Sequence, residues 1–196
     1  MVNYFPIEPC DDDCGCRDKR EACPFKSALS MGDQHIVKIP VEITQGLVCA
    51  MIRHDVPKKH FPLTKKKTIH KGGYKHHPIV KWLGESYENF KWGVEYLYSM
   101  CVEYTRRFGK THFAQSQLYT ITMFDWSKYL PLSPDFKPTP MIPAVNQSKG
   151  LNLDLLDAWE NGDMSIVELY REYYRRDKKD MLRYSKTEAP EWLVIE

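Results

Sequence analysis

Apolar positions recur every three or four residues through the middle of the chain. Val80, Leu83, Tyr87, Phe90, Val94, Leu97, Cys101, Tyr104 and Phe108 are spaced 3, 4, 3, 4, 3, 4, 3, 4, which predicts one amphipathic helix over residues 78–108. Pro78 suits its first position and Gly109 its stop. Residues 33–54 read as a second helix built on Ile36, Val37, Ile39, Val41, Ile43, Leu47 and Val48, with Pro40 near its first turns or at a kink. A third segment spans roughly 111–129, and Asp163 or Ser165 caps a last helix running to about residue 184. No strand alternation and no internal repeat stand out. The expected fold class is all-α: a compact single-domain helical bundle over residues 1–196. Three stretches lie outside the helices: an irregular Cys- and Asp-rich segment over 1–32, a basic loop over 55–77, and a loop over 131–148 in which Pro131, Pro134, Pro138, Pro140 and Pro143 exclude regular helix.

Composition narrows the class. In 196 residues, 42% are hydrophobic and 28% charged, enough to form a core and too apolar for a disordered chain. The formal net charge of +2 says little about partners, but the distribution says more. From Arg53 to Lys81 nine Lys/Arg face one acid, Asp55, and five of the seven histidines fall in the same window. No apolar run approaches the ~20 residues of a membrane span, and the first residues lack the basic start and apolar middle of a signal peptide. A cytoplasmic location is expected. The six cysteines are then thiols or metal ligands before disulfides.

The densest chemistry lies in Asp33, His35, Lys38 and Glu42. The last three are spaced three and four apart, so a helix presents them on one face. A carboxylate among apolar neighbours is partly desolvated, which raises its pKa toward acid–base work. The plain alternative is an exposed Lys38–Glu42 pair giving roughly 0.3–0.5 kcal/mol of helix support. In the basic loop, Lys65, Lys66, Lys67, His76 and His77 form a candidate phosphate surface or a solvated lysine-rich loop. Arg107, Lys110 and His112 close the long helix, where cations suit the dipole or hold phosphate. Trp82, Glu85, Ser86 and Asn89 offer aromatic plates and polar edges to a flipped base, or a polar helix contact. Cys10, Cys14, Cys16 and Cys23 place four thiols in fourteen residues. Four thiolates suit a structural zinc. The spacing is not the paired C-x-x-C form, and Asp11, Asp12 and Asp13 add negative charge, so free thiols stay open. Cys49 and Cys101 read as core.

Asp33-Gln34-His35 with Glu42 nine positions after Asp33 resembles the first helix of the phage pyrimidine-dimer DNA glycosylases, the endonuclease V family. The long helix after a basic loop and the aromatic, basic run Tyr170-Arg171-Glu172-Tyr173-Tyr174-Arg175 are also similar. A group of uncharacterised phage proteins looks like a distant branch of that family. The chain matches their pattern at Asp33, His35, Val37, Lys38, Glu42 and Gln45, at His77, Pro78, Trp82, Glu85, Ser86, Asn89 and Trp92, and at Glu103, Tyr104, Thr105, Arg107, Gly109, Lys110 and His112.

The resemblance implies a helical fold with Glu42 as catalytic carboxylate and double-stranded DNA as partner. It implies a DNA glycosylase/AP lyase acting on a flipped base or its glycosidic bond, with no required cofactor. The family's nucleophile is an N-terminal threonine amine shortly before Asp-Gln-His. Here 32 residues precede Asp33 and residue 2 is valine, so the amine is open between Val2 and Lys38. Two other functions fit the same residues: a transferase modifying thymine-derived bases in phage DNA, and a non-catalytic module binding nucleic acid or protein.

Overall fold

The computed structural model describes residues 3–14, 16 and 20–193. Among them are seven α-helices: α1 Pro24–Leu29, α2 Asp33–Arg53, α3 Pro78–Leu83, α4 Tyr87–Phe108, α5 Ala114–Thr122, α6 Leu153–Glu160 and α7 Ile166–Lys178. The only β pairing among the described residues is one antiparallel bridge, Leu63 to Ile69. The all-α class follows.

The single helix expected over 78–108 is two helices. α3 ends at Gly84, and Ser86 caps α4 by accepting the Asn89 N–H on its hydroxyl at 3.1 Å. A Ser with extended backbone stops one helix and starts the next without breaking the apolar stripe. Val80 and Leu83 of α3 and Phe90, Leu97 and Cys101 of α4 are all buried. Gly109 ends α4 with φ 63°, its N–H reaching the Thr105 carbonyl at 2.9 Å.

Other boundaries also shift. α5 covers only part of 111–129, with a 3₁₀ turn at Trp126–Lys128 after it. α7 starts where expected, because Ser165 and Glu168 form a reciprocal capping box. It stops at Lys178 instead of residue 184, and a 3₁₀ turn at Lys179–Met181 follows. The segment 1–32 is not wholly irregular: Pro24 at the first position and the Cys23 thiol at the cap set up α1. α6 pairs with α7 and carries too short a stripe to be read.

α2 corrects another expectation. It is 21 residues long and holds an 18-residue stretch of mean hydropathy 1.3, long and apolar enough to cross a membrane, yet 72% of that stretch is buried inside the protein. Its apolarity serves the core. α2 packs on α3, α4 and α5, and α1 lies on α4. At Gly93 of α4 a Cβ would sit 2.5 Å from Leu83 Cδ2 and 3.2 Å from Leu47 Cδ2, so any larger residue would force these leucine ends to shift.

The N-terminal segment threads between α2 and α7. The Tyr4 hydroxyl donates to the Glu42 carbonyl at 3.2 Å, and Arg171 donates to the Ile7 carbonyl at 2.8 Å and to Glu8 at 2.5 Å. Phe5 packs on Tyr170, Tyr173 and Tyr174. The tyrosines of the aromatic, basic run are therefore core, and its arginines are ion-paired or laid on Trp192.

Candidate functional site

α2 carries His35, Lys38 and Glu42 on one face, as the spacing dictates. They line one cavity of about 190 Å³ with Phe5, Gln34, Ile39, Lys178 and Met181. The Glu42 side chain is only 8% exposed, while that of Lys38 is 56% exposed, and Lys38 Nζ lies 3.0 Å from Glu42 Oε1. The pair is thus a buried carboxylate met by a lysine reaching in from solvent, not the exposed ion pair of the plain reading.

His35 forms the inner wall. Its Nδ1 lies 2.6 Å from the Tyr174 hydroxyl, and its ring is 4.7 Å from that of Phe5. Burial, with Lys178 and Lys38 nearby, pushes the imidazole down to about 3, so it is neutral at pH 7. The Tyr174 hydroxyl also accepts the Gly32 N–H at 2.9 Å, which fixes it at the start of α2. Gln34 Oε1 is buried with no hydrogen-bond partner among the described residues. A buried acceptor without a donor is costly, and a ligand donor in the cavity would relieve that cost.

Lys178 escaped sequence reading, although it completes the cavity from the end of α7. It lies in the expected last helix, three residues past the aromatic, basic run, where no local pattern singles it out. Burial and Lys38 pull its ammonium below the usual lysine range, while Asp177 pulls it back up. The Val2 amine lies outside the described residues.

The basic loop runs along the same helix. Gly73 exchanges two contacts at 3.3 Å with the Cys49 thiol, so Cys49 tacks the loop to α2 instead of filling the core. The Leu63 carbonyl accepts from Gln117 at 2.9 Å, and Lys65 sits 5.5 Å over the Phe113 ring. Lys65, Lys66, Lys67, His76 and Lys110 are exposed, His77 is half-buried ahead of α3, and Glu85 is exposed at the α3–α4 break.

Two expected phosphate ligands are enclosed. The Arg107 side chain has no exposure. It donates to Glu103, Asp33 and the carbonyls of Met31 and Leu29, at 2.6 to 3.0 Å. His112 accepts the Ala114 N–H on Nδ1 at 3.1 Å and so donates from Nε2 to the Val37 carbonyl at 3.1 Å. Burial lowers its pKa. Both are structural ties between α4 or α5 and α2.

The expected base-pocket residues are also engaged. Trp82 and Asn89 are fully buried and Ser86 nearly so. Asn89 donates to the Trp82 carbonyl at 2.8 Å and to Thr139 Oγ1 at 2.7 Å, and accepts the Thr139 N–H at 2.8 Å. Trp82 Nε1 donates to the Thr139 carbonyl at 3.1 Å. These contacts hold the Pro-rich loop and offer no open stacking face.

Cys10, Cys14, Cys16 and Cys23 come together, with all four Sγ atoms within 4.8 Å of one another. None is in a disulfide. Cys16 and Cys23 Sγ are 3.7 Å apart, close to the roughly 3.8 Å edge implied by four ~2.3 Å zinc–sulfur bonds at tetrahedral angles. Asp11, Asp12 and Asp13 are exposed, and Asp11 pairs with Lys26. Burial pushes the Cys10 thiol up to about 11 and raises those of Cys16 and Cys23.

Compared with known proteins, the chain matches no family model, no curated protein and no solved structure.

Proposed function

We propose that the Glu42 cavity is the active site of a DNA-directed enzyme of the glycosylase/AP lyase type. The observation that carries this reading is the meeting of a buried carboxylate, two lysine amines and a neutral imidazole in one small cavity on α2. That set suits proton transfer at a sugar carbon and attack of an amine on it. The basic loop is tied to the same helix at Cys49, and its exposed lysines would hold the phosphates on either side. A cavity of about 190 Å³ fits a sugar or part of a base better than an ordered nucleotide, so the substrate would be presented extruded from the duplex. Trp82, Ser86 and Asn89 act indirectly, by fixing the loop over 131–148.

The test is strand cleavage at a single abasic site in duplex DNA under single-turnover conditions. Cleavage by wild type and its loss in Glu42→Gln support the reading. An inactive wild type on abasic and damaged-base duplexes alike would discard it.

We infer as well that the four N-terminal thiols hold one structural zinc as thiolates. Their S₄ donor set and spacing suit it, and they lie apart from the cavity residues. The ion would tie Cys10, Cys14 and Cys16 to the start of α1 and take no part in the reaction.

A further inference from the structure

We propose that Lys178 Nζ is the amine that bonds covalently to substrate in this cavity, forming an imine with the aldehyde carbon of an opened deoxyribose. The proposal rests on the DNA-sugar reading above and goes beyond it by naming the nucleophile.

The geometry separates the two lysines. Lys38 Nζ is committed to Glu42 at 3.0 Å. Among the described residues Lys178 has no carboxylate at ion-pair distance; its Nζ lies 5.0 Å over the Tyr173 ring. The groups facing it are Lys38, Glu42 and His35 from α2, Phe5 from the N-terminal segment, and Asp177 and Tyr173 from its own helix. A half-buried amine beside a second cation is the environment that frees a lysine lone pair. The net effect on Lys178 is downward, burial first and Lys38 adding to it, against Asp177. Lys38 thus has two duties: it orients the Glu42 carboxylate and repels the Lys178 proton.

The steps balance. The neutral Lys178 amine adds to C1′ of the aldehyde, and one amine proton passes to the carbonyl oxygen to give a neutral carbinolamine. The hydroxyl then takes a proton from solvent and leaves as one water, and the nitrogen lone pair forms the protonated imine. Glu42 accepts the C2′ proton, the C–H pair forms the C2′–C3′ double bond, and the C3′–O bond breaks with the 3′-phosphate as leaving group. One water then hydrolyses the imine and returns the amine.

Borohydride reduction of the full-length protein on abasic duplex DNA tests this. Wild type should give a covalent adduct whose tryptic mass falls on Lys178. Lys178→Arg, which keeps the charge over Tyr173, should lose the adduct while keeping its melting temperature. Lys38→Arg should still give it, at a lower rate. An adduct on Lys38, on the N-terminal amine, or undiminished in Lys178→Arg would overturn the assignment while leaving the lyase reading intact. If abasic DNA is neither cleaved nor trapped, the lyase reading falls, and a second measurement still judges Lys178. In that measurement wild type is treated with glycolaldehyde and cyanoborohydride from pH 6 to 10 and its peptides are mapped. Lys178 should label first and at lower pH than exposed lysines such as Lys128; labelling no faster than Lys128 would overturn the proposal.

Discussion

Arg107 Nη1 lies 3.0 Å from Asp33 Oδ1 across seventy-four residues, and the arginine side chain has no solvent exposure. The same guanidinium meets Glu103 one helical turn back and two carbonyls of the α1–α2 corner. Asp33 in turn accepts the Ser185 N–H at 2.8 Å and hydroxyl at 2.7 Å. Burial alone would raise the Asp33 carboxyl, but Ser185 and Arg107 hold it below the usual range. This network fixes the start of α2, two residues before His35.

Arg107→Ala is therefore expected to act on stability. It removes the cation shared by Asp33 and Glu103 and the donors to the Met31 and Leu29 carbonyls. Arg106 still pairs with Glu103 and Ser185 with Asp33, so the cost should lie toward the low end of the about 3–5 kcal/mol typical of a broken buried pair. Denaturant unfolding would show it as a lower midpoint. Lys should rescue poorly, because one ammonium cannot replace a fork serving four acceptors. A variant of normal stability with weakened DNA binding would return Arg107 to the phosphate role.

His35 sets a pH dependence whose sign is fixed by its shift. Its folded pKa of about 3 lies below the ordinary 6.5, so between those values the unfolded chain binds the extra proton. Its contribution is intact above about pH 6.5 and falls as pH drops, by up to ~1.4 kcal/mol per unit. Unfolding free energies of wild type and His35→Gln should converge between pH 7 and 5. A constant difference would mean that the imidazole titrates normally.

The thiol cluster predicts metal content. Protein purified without a histidine tag should carry close to one zinc per chain, and cobalt substitution should give thiolate charge-transfer absorption. Chelation, or Cys16→Ser with Cys23→Ser, should lower the melting temperature. Metal-free protein with unchanged melting would leave four plain thiols.

The helical class, α2, and the convergence of His35, Lys38 and Glu42 were legible because all three follow from local periodicity. What escaped depends on distant chain. The Gly84–Ser86 break lies inside a stripe that stays in phase across it, so spacing cannot reveal it. Asn89 and Trp82 read as base contacts because nothing local shows that Thr139 will take their hydrogen bonds. Arg107 reads as surface cation until Asp33 arrives opposite it, and Lys178 reads as one more lysine of the last helix until α7 folds back on α2. The four cysteines were legible as a set, but their approach depends on Cys23 joining the Glu8 carbonyl at 2.8 Å.

The exposed lysines of the basic loop predict salt dependence. Replacing Lys65, Lys66 and Lys67 together by alanine should flatten the log–log salt slope of duplex DNA binding by up to about 2–3 units if all three meet phosphate. Stability should change little, since all three are exposed and Lys65 gives up only its place over Phe113. An unchanged slope would make the loop a bystander.

Glu42→Gln carries the most mechanistic content. The carboxylate is enclosed, its one ion-pair partner among the described residues is a half-exposed lysine, and its backbone carbonyl is held by Tyr4. The amide keeps the shape, so the helix and the Tyr4 contact remain. The lost pair is screened through Lys38, so the stability cost should be no more than about 1 kcal/mol. An acid–base role predicts a different pattern: normal melting and normal DNA affinity, with single-turnover cleavage slowed by roughly 10²-fold or more. If Lys178 is the amine, the variant should still form the borohydride adduct, because imine formation precedes the C2′ proton transfer that needs Glu42. Trapping without cleavage would then place the two residues at successive steps. Normal cleavage by a well-folded Glu42→Gln protein would remove the carboxylate from the mechanism and leave the cavity without its acid–base group.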